Sequence, residues 1–272
     1  MQTDVRAGRA QQLPGGVVPA VVSQLPDKHQ RELAAFLQRL RVGLGDNLHC
    51  VALYGSAVRG GFDAVHSDLN MLIVLCDATV EAQGLVGDAV VAAGVAVDPF
   101  LLPLAQFDRA VRAFAVKFAS IARAHRVLHG VDVLSALHVR PELTRFLLEQ
   151  ALLNARLRTV QAFLSSRRDP GRYSAYAPQL VPQLLTEMSE VLRLHGEVLP
   201  EAWDARVPQL AAYFELDAAL LEQLLKLRKA HKRLAKREVQ DVHRLLLTVL
   251  DAAVLRICAD NERAGWFAGD AP

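Results

Sequence analysis

The sequence predicts an α+β protein, a small mixed-sheet head followed by an all-helical domain. Three features of the chain lead there. Short apolar runs bounded by Gly or Pro recur in the first half, at residues 49–54, 69–76 and 95–102, as buried strands do. Segments with helical apolar spacing lie around and between them. After His129-Gly130 glycine becomes scarce, and long stretches of Leu, Ala, Arg and Glu take over, the composition of packed helices.

Taken in order, residues 1–20 are expected to form a flexible arm broken at Pro14-Gly15-Gly16. In residues 27–42, Leu33, Phe36, Leu37 and Leu40 recur at helical spacing, and Gly43 and Gly45 end the helix. Residues 49–54 make a short strand, Gly55-Ser56 a turn, and Gly60-Gly61 a second break. Residues 69–76, nearly all apolar with Ile and Val, read as a strand buried on both faces. An Ala/Val-rich helix follows at 80–93, then a third strand at 95–102 closed by Pro103. Residues 114–121 are the candidate for a fourth strand. The head therefore spans residues 21–140 and the helical domain 141–262, with helices at 142–164 and 180–194 and one or two more within 218–259. Residues 200–208 read as a connection.

Composition narrows the function classes. Of 272 residues, 52% are hydrophobic and 22% charged, so the chain can bury a core and is not a disordered protein. A net charge of +2 predicts neither nucleic-acid nor membrane binding by the whole molecule. The three cysteines, Cys50, Cys76 and Cys258, are far apart and form no CxxC pair, which argues against a disulfide scaffold and a cysteine zinc site. The first residues lack the apolar run of a signal peptide, and no stretch is apolar for long enough to span a bilayer. The expectation is a soluble cytoplasmic protein.

The chemistry lies in Tyr54-Gly55-Ser56-Ala57-Val58-Arg59-Gly60 and in Ser67-Asp68-Leu69-Asn70 running into an apolar strand. Gly55 allows a tight turn after a strand. Ser56 opens a helix whose amides, hydroxyl and N-terminal dipole can meet a phosphate oxygen. Arg59, one turn on, can face phosphate or pair with Asp63 or Asp68. Asp68 and Asn70 are two apart, so on a strand they share a face. A pair of that kind facing a phosphate-binding turn can hold Mg²⁺ against a triphosphate.

These two motifs, in this order and spacing, resemble the active-site segment of the polymerase-beta-like nucleotidyltransferase superfamily. The likeness is greatest to its small bacterial branch, which joins such a head to a C-terminal helical domain. The resemblance covers roughly the first half of the chain. It implies that Gly55, Ser56, Arg59 and Ser67 bind an NTP, and that Asp68, Asn70 and a third acid form the catalytic, metal-binding set. Asp98, in Val95-Ala96-Val97-Asp98, is the best candidate for that third acid. The implied reaction transfers a nucleoside monophosphate to the hydroxyl of an acceptor the sequence does not name.

The chain departs from the pattern at Asn70, which stands where a second carboxylate belongs. A neutral amide cannot bridge two metals as a carboxylate does. Such a loss is worth several kcal/mol, or roughly 10³-fold in rate. The alternative reading is therefore a catalytically degenerate nucleotide-sensing or partner-binding module. His125 and His129 have no acid or cysteine at metal spacing and read as packing or surface groups. The basic run at residues 226–237 reads as a solvated helix face first and a nucleic-acid platform second. Arg237 and His243 have the spacing of the ribonuclease motif of the HEPN family, but on a regular helix they lie about 120° apart. Surplus apolar positions in the helical half leave room for a homodimer interface.

Overall fold

The structure, a computed structural model, describes residues 24–60, 62–64, 67–228 and 234–265. The arm expected at residues 1–20 lies outside them. The chain divides between Val139 and Arg140 into two units. Among the described residues, no helix is long and apolar enough to cross a membrane.

The first unit begins with α1 (Asp27–Leu44), which buries His29, Leu33, Phe36, Leu40 and Leu44 along one side. It runs past Gly43 and stops at Gly45, whose φ of 51° leaves the helical region. Next come β1 (Leu48–Tyr54), the single turn α2 (Ser56–Arg59), β2 (Leu69–Leu75), α3 (Val80–Val91) and β3 (Val97–Pro103). The Thr79 hydroxyl starts α3 by accepting a hydrogen bond from the Ala82 amide at 3.2 Å. After α4 (Phe107–Ala113) and α5 (Ala115–Arg123), β4 (His125–Gly130) completes a sheet of order β3-β2-β1-β4. β1 is antiparallel to both β2 and β4, while β2 and β3 are parallel, so the sheet is mixed. One face packs on Leu33, Phe36, Leu40, Ala82, Val86 and Ala89, from α1 and α3. The other packs on Phe107, Ala110, Phe118 and Ile121, from α4 and α5, with Val133 and Leu134.

The fourth strand is not at residues 114–121, which form α5. Ala115, Phe118 and Ile121 recur every three residues and all are buried, so a helix puts them on one side where a strand would split them between two. The sheet's edge is taken by β4, which contains His125 and His129. Gly130 closes it with φ +77°, and a Cβ there would stand 2.0 Å from the His49 carbonyl oxygen. No side chain fits that approach.

The second unit consists of α6 (Pro141–Ser166), α7 (Pro170–Leu194), α8 (Trp203–Phe214), α9 (Ala218–Arg228) and α10 (Lys236–Arg263). α7 starts ten residues before the expected 180, with Pro170 in its first turn and Asp169 capping the Gly171 amide at 2.9 Å. Pro178 and Pro182 lie inside it, and packing overrides their helix-breaking tendency. The expected connection at 200–208 is partly α8. Buried Arg206 fastens its start: Nε donates to the Pro200 carbonyl at 2.5 Å, Nη2 to that of Glu201 at 3.0 Å, and the guanidinium lies 4.4 Å over the Trp203 ring. Asp260 of α10 accepts from the Tyr213 hydroxyl at 2.5 Å and lies 3.1 Å from His195 Nε2.

Glu187 of α7 is buried. Its Oε1 accepts from Gln183 at 2.8 Å, while its Oε2 has no partner. Burial pushes its carboxyl up from 4.5 to about 7, against the Gln183 hydrogen bond. The unfolded chain therefore gives up this proton at lower pH than the folded chain does. Stability falls as pH rises from about 4.5 to about 7, and the contribution is level outside that window. Glu187→Gln should remove that slope and leave the variant more stable than the parent at pH 8, by on the order of 3 kcal/mol. Urea unfolding at pH 4.5, 6 and 8 measures both effects.

Candidate functional site

The site is assembled by register. β1 ends at Tyr54, which pairs with Asn70 on β2 and with His125 on β4, while Asn70 pairs with Asp98 on β3. Register partners share a face. A row of four polar residues, His125, Tyr54, Asn70 and Asp98, thus crosses one end of the sheet. It lies on the α4/α5 face, one step beyond the apolar Ala52, Leu72 and Phe100. Tyr54 is buried, Asn70 half-buried and Asp98 exposed. Asp68 is exposed just before β2, and its carbonyl oxygen accepts from Asn70 Nδ2 at 3.3 Å. That bond leaves the Asn70 amide oxygen as its remaining donor to a cation.

The turn at Gly55 and Ser56 sits against the same row. Gly55 has φ 81° and ψ −149°. Its carbonyl accepts from the amides of Val58 at 3.1 Å and Arg59 at 3.0 Å. A Cβ on Gly55 would stand 3.3 Å from Asn70 Nδ2, so the turn and Asn70 are in mutual contact. The helix opened by Ser56 is a single turn ending at Arg59. A helix this short carries little macrodipole, so attraction for an anion falls to local amides and to Arg59. Arg59 Nη1 donates to Ser120 Oγ of α5 at 3.1 Å. Ser67 shapes the loop before β2: its Oγ accepts from the Asp63 amide at 3.1 Å, and its amide donates to the Asp63 carbonyl at 2.8 Å.

Because residues 115–123 are helical, α5 brings a second cation. Lys117 Nζ stands 3.9 Å from the Phe100 ring centroid and 5.9 Å from that of Tyr54. Burial draws its pKa down, and the negative charge of Asp98 draws it up. Burial raises the Tyr54 phenol, and Asp98 raises it further. Asp98 is thus electrostatically coupled to both. Tyr54 and Lys117 are the two site residues that sequence reasoning missed. The signal was a lone Lys on a three-residue apolar repeat, obscured by the strand assignment.

His125, at the other end of the row, is tied down. Its Nδ1 lies 3.1 Å from the Ala122 carbonyl oxygen and its Nε2 lies 3.2 Å from Asp132 Oδ1. Asp132 also accepts from the Leu134 and Ser135 amides at 2.9 and 3.0 Å and from the Ser135 hydroxyl. Burial pushes its carboxyl up, but these hydrogen bonds and His125 outweigh it and hold the group below its usual value. The aspartate stands between serine and histidine, which is the wrong order for a nucleophile and its base.

Asp98 and the Asn70 amide oxygen on the row, and Asp68 just before β2, are hard oxygen donors of the kind that suits Mg²⁺. Among the described residues, no three His, Cys, Asp or Glu side chains gather to hold a metal. In the helical unit, His243 stacks on Phe163 at 3.9 Å and its Nδ1 is 2.9 Å from the Tyr173 hydroxyl. Arg237 is exposed in the first turn of α10, so the two residues of the ribonuclease-like spacing do different jobs. The basic run splits between the end of α9 and the start of α10, and residues 229–233 lie outside those described.

No protein-family model matches the chain, and no curated protein resembles it in sequence. Among solved structures, it is similar to the spectinomycin adenyltransferase AAD(9) from Enterococcus faecialis, determined with ATP and spectinomycin. The TM-score is 0.56 at 12% identity, over 81% of this chain and 98% of that one. At that identity the likeness shows the fold alone, a mixed-sheet head and a helical domain.

Gly55→Ala should lower stability by about 1–2 kcal/mol, through the positive φ and the push against Asn70. Urea unfolding at neutral pH reads this, and an unchanged midpoint would mean that the turn has no such constraint.

Proposed function

We propose that the protein transfers a nucleoside monophosphate from an NTP to an acceptor hydroxyl. The observation that carries this reading is the register that pairs Asn70 with Asp98 beside the turn at Gly55 and Ser56, with the Asp68 backbone hydrogen-bonded to Asn70. The similarity in fold to an adenyltransferase determined with ATP supports it. In the reaction, the acceptor oxygen forms a bond to the α-phosphorus, the bond from that phosphorus to the bridging oxygen breaks, and pyrophosphate leaves. Ser56 and Arg59 hold the triphosphate. Asp68 and Asp98, with the Asn70 amide oxygen, would hold Mg²⁺, which when bound offsets charge on the triphosphate. Asp98, exposed at the end of the row, is the carboxylate we assign to receive the hydroxyl proton. ATP heads the trial donors and spectinomycin the trial acceptors, because the similar adenyltransferase was determined with both. We place the protein in the cytoplasm.

A second reading, nucleotide sensing without transfer, is favoured by Asn70, because a neutral amide weakens catalysis more than it weakens binding. The two readings separate by experiment. Thermal unfolding is followed with Mg²⁺ and each of ATP, GTP, CTP and UTP. A ligand at a hundredfold excess over its Kd adds about 2.7 kcal/mol, and Asp68→Ala should abolish the shift. Label from an α-phosphate should then appear on an acceptor, with the parent or with Asn70→Asp. Binding without transfer in either protein would select the sensing reading. No shift with any NTP would contradict both.

A further inference from the structure

We infer that the site is built for a single divalent cation, with the Lys117 ammonium as its second positive centre. This rests on the nucleotide-binding reading above and goes beyond it in stoichiometry and in the residue named. Three observations carry it. The position between Asp68 and Asp98 is held by a neutral amide, already hydrogen-bonded to the Asp68 backbone and packed on Gly55. Among the described residues no third acid, histidine or cysteine gathers there. And α5 delivers Lys117 to the same end of the sheet, its ammonium over Phe100 at 3.9 Å and within the field of Asp98.

The charges then balance. A two-metal phosphoryl-transfer centre with three carboxylates sets four positive charges against three negative ones. Here Asp68 and Asp98 supply two negative charges. One divalent cation and one ammonium restore the same single net positive charge toward the triphosphate. Two divalent cations would leave a larger surplus, with no bridging carboxylate to hold them together and with an ammonium beside them. Lys117 needs no ligand set, because the chain itself holds it in place, with its ammonium over the Phe100 ring. Ser120, one turn along α5, also fixes Arg59, so one short helix positions both protein cations at this end of the sheet.

The test counts Mn²⁺ by the electron paramagnetic resonance of the free ion. It uses the full chain with a saturating ATP analogue whose α–β bridge is methylene. The parent should bind one Mn²⁺ per bound nucleotide. Lys117→Met keeps an unbranched side chain of similar length and loses the charge, and should weaken nucleotide affinity tenfold or more. Lys117→Arg should restore most of that affinity. Lys117→Met combined with Asn70→Asp should bind two Mn²⁺. Two Mn²⁺ per nucleotide in the parent, or unchanged affinity in a folded Lys117→Met, overturns this inference alone. Failure of the parent to bind the analogue overturns the nucleotide-binding reading and this one with it.

Discussion

The pairing of β1 with β2 and of β2 with β3 is the constraint on which the rest of the head depends. It aligns Tyr54, Asn70 and Asp98 across the sheet. A slip of one residue in β2 would turn Asn70 toward the apolar face under α1 and α3 and bring Leu69 or Met71 into the polar row. Burial forbids it. Asn70 is the one residue of β2 that is not buried, and every other position on that strand is closed on both sides. Polarity is tolerated at one point, and that point fixes the register.

The electrostatics follow from the register. Asp98 sits near enough to raise the Tyr54 phenol and to hold up the charge on Lys117. α2 and α5 bring Arg59 and Lys117 to the same end of the sheet and are tied together through Ser120. With a neutral Asn70 between them, the two carboxylates make this a less negative place than three would. It suits an anionic ligand better than a cluster of bare cations. The same reasoning separates the site from its neighbours. His125 and Asp132 are close by but are spent on the Ala122 carbonyl and on a turn at Leu134 and Ser135.

Much of this was legible in the sequence. Gly55-Ser56 and Asp68-Leu69-Asn70 could be singled out as candidates because they are marked by local spacing, which a sequence displays directly. β1, β2, α1 and α3 were legible because their apolar periods are strong. Lys117 was not, since placing it required knowing that residues 115–123 form a helix, and a short segment with few polar residues fits either period. β4 was hidden because it is a half-buried edge strand carrying two histidines. The first ten residues of α7 and the first half of α8 were hidden by Pro178 and Pro208, whose local cost is outweighed by burial of residues such as Tyr173, Ala177 and Leu210. Asn70 was legible as a departure, but its contact with Gly55 and the Asp68 backbone belongs to the folded turn.

The most direct test of the central claim is a crystal structure grown with Mn²⁺ and a non-hydrolysable ATP analogue, with the metal located by anomalous scattering. The account predicts the triphosphate at the turn of Gly55 and Ser56 and a single Mn²⁺ between Asp68 and Asp98. Nucleotide density anywhere else on the molecule, or a manganese ion that touches neither aspartate, would contradict it.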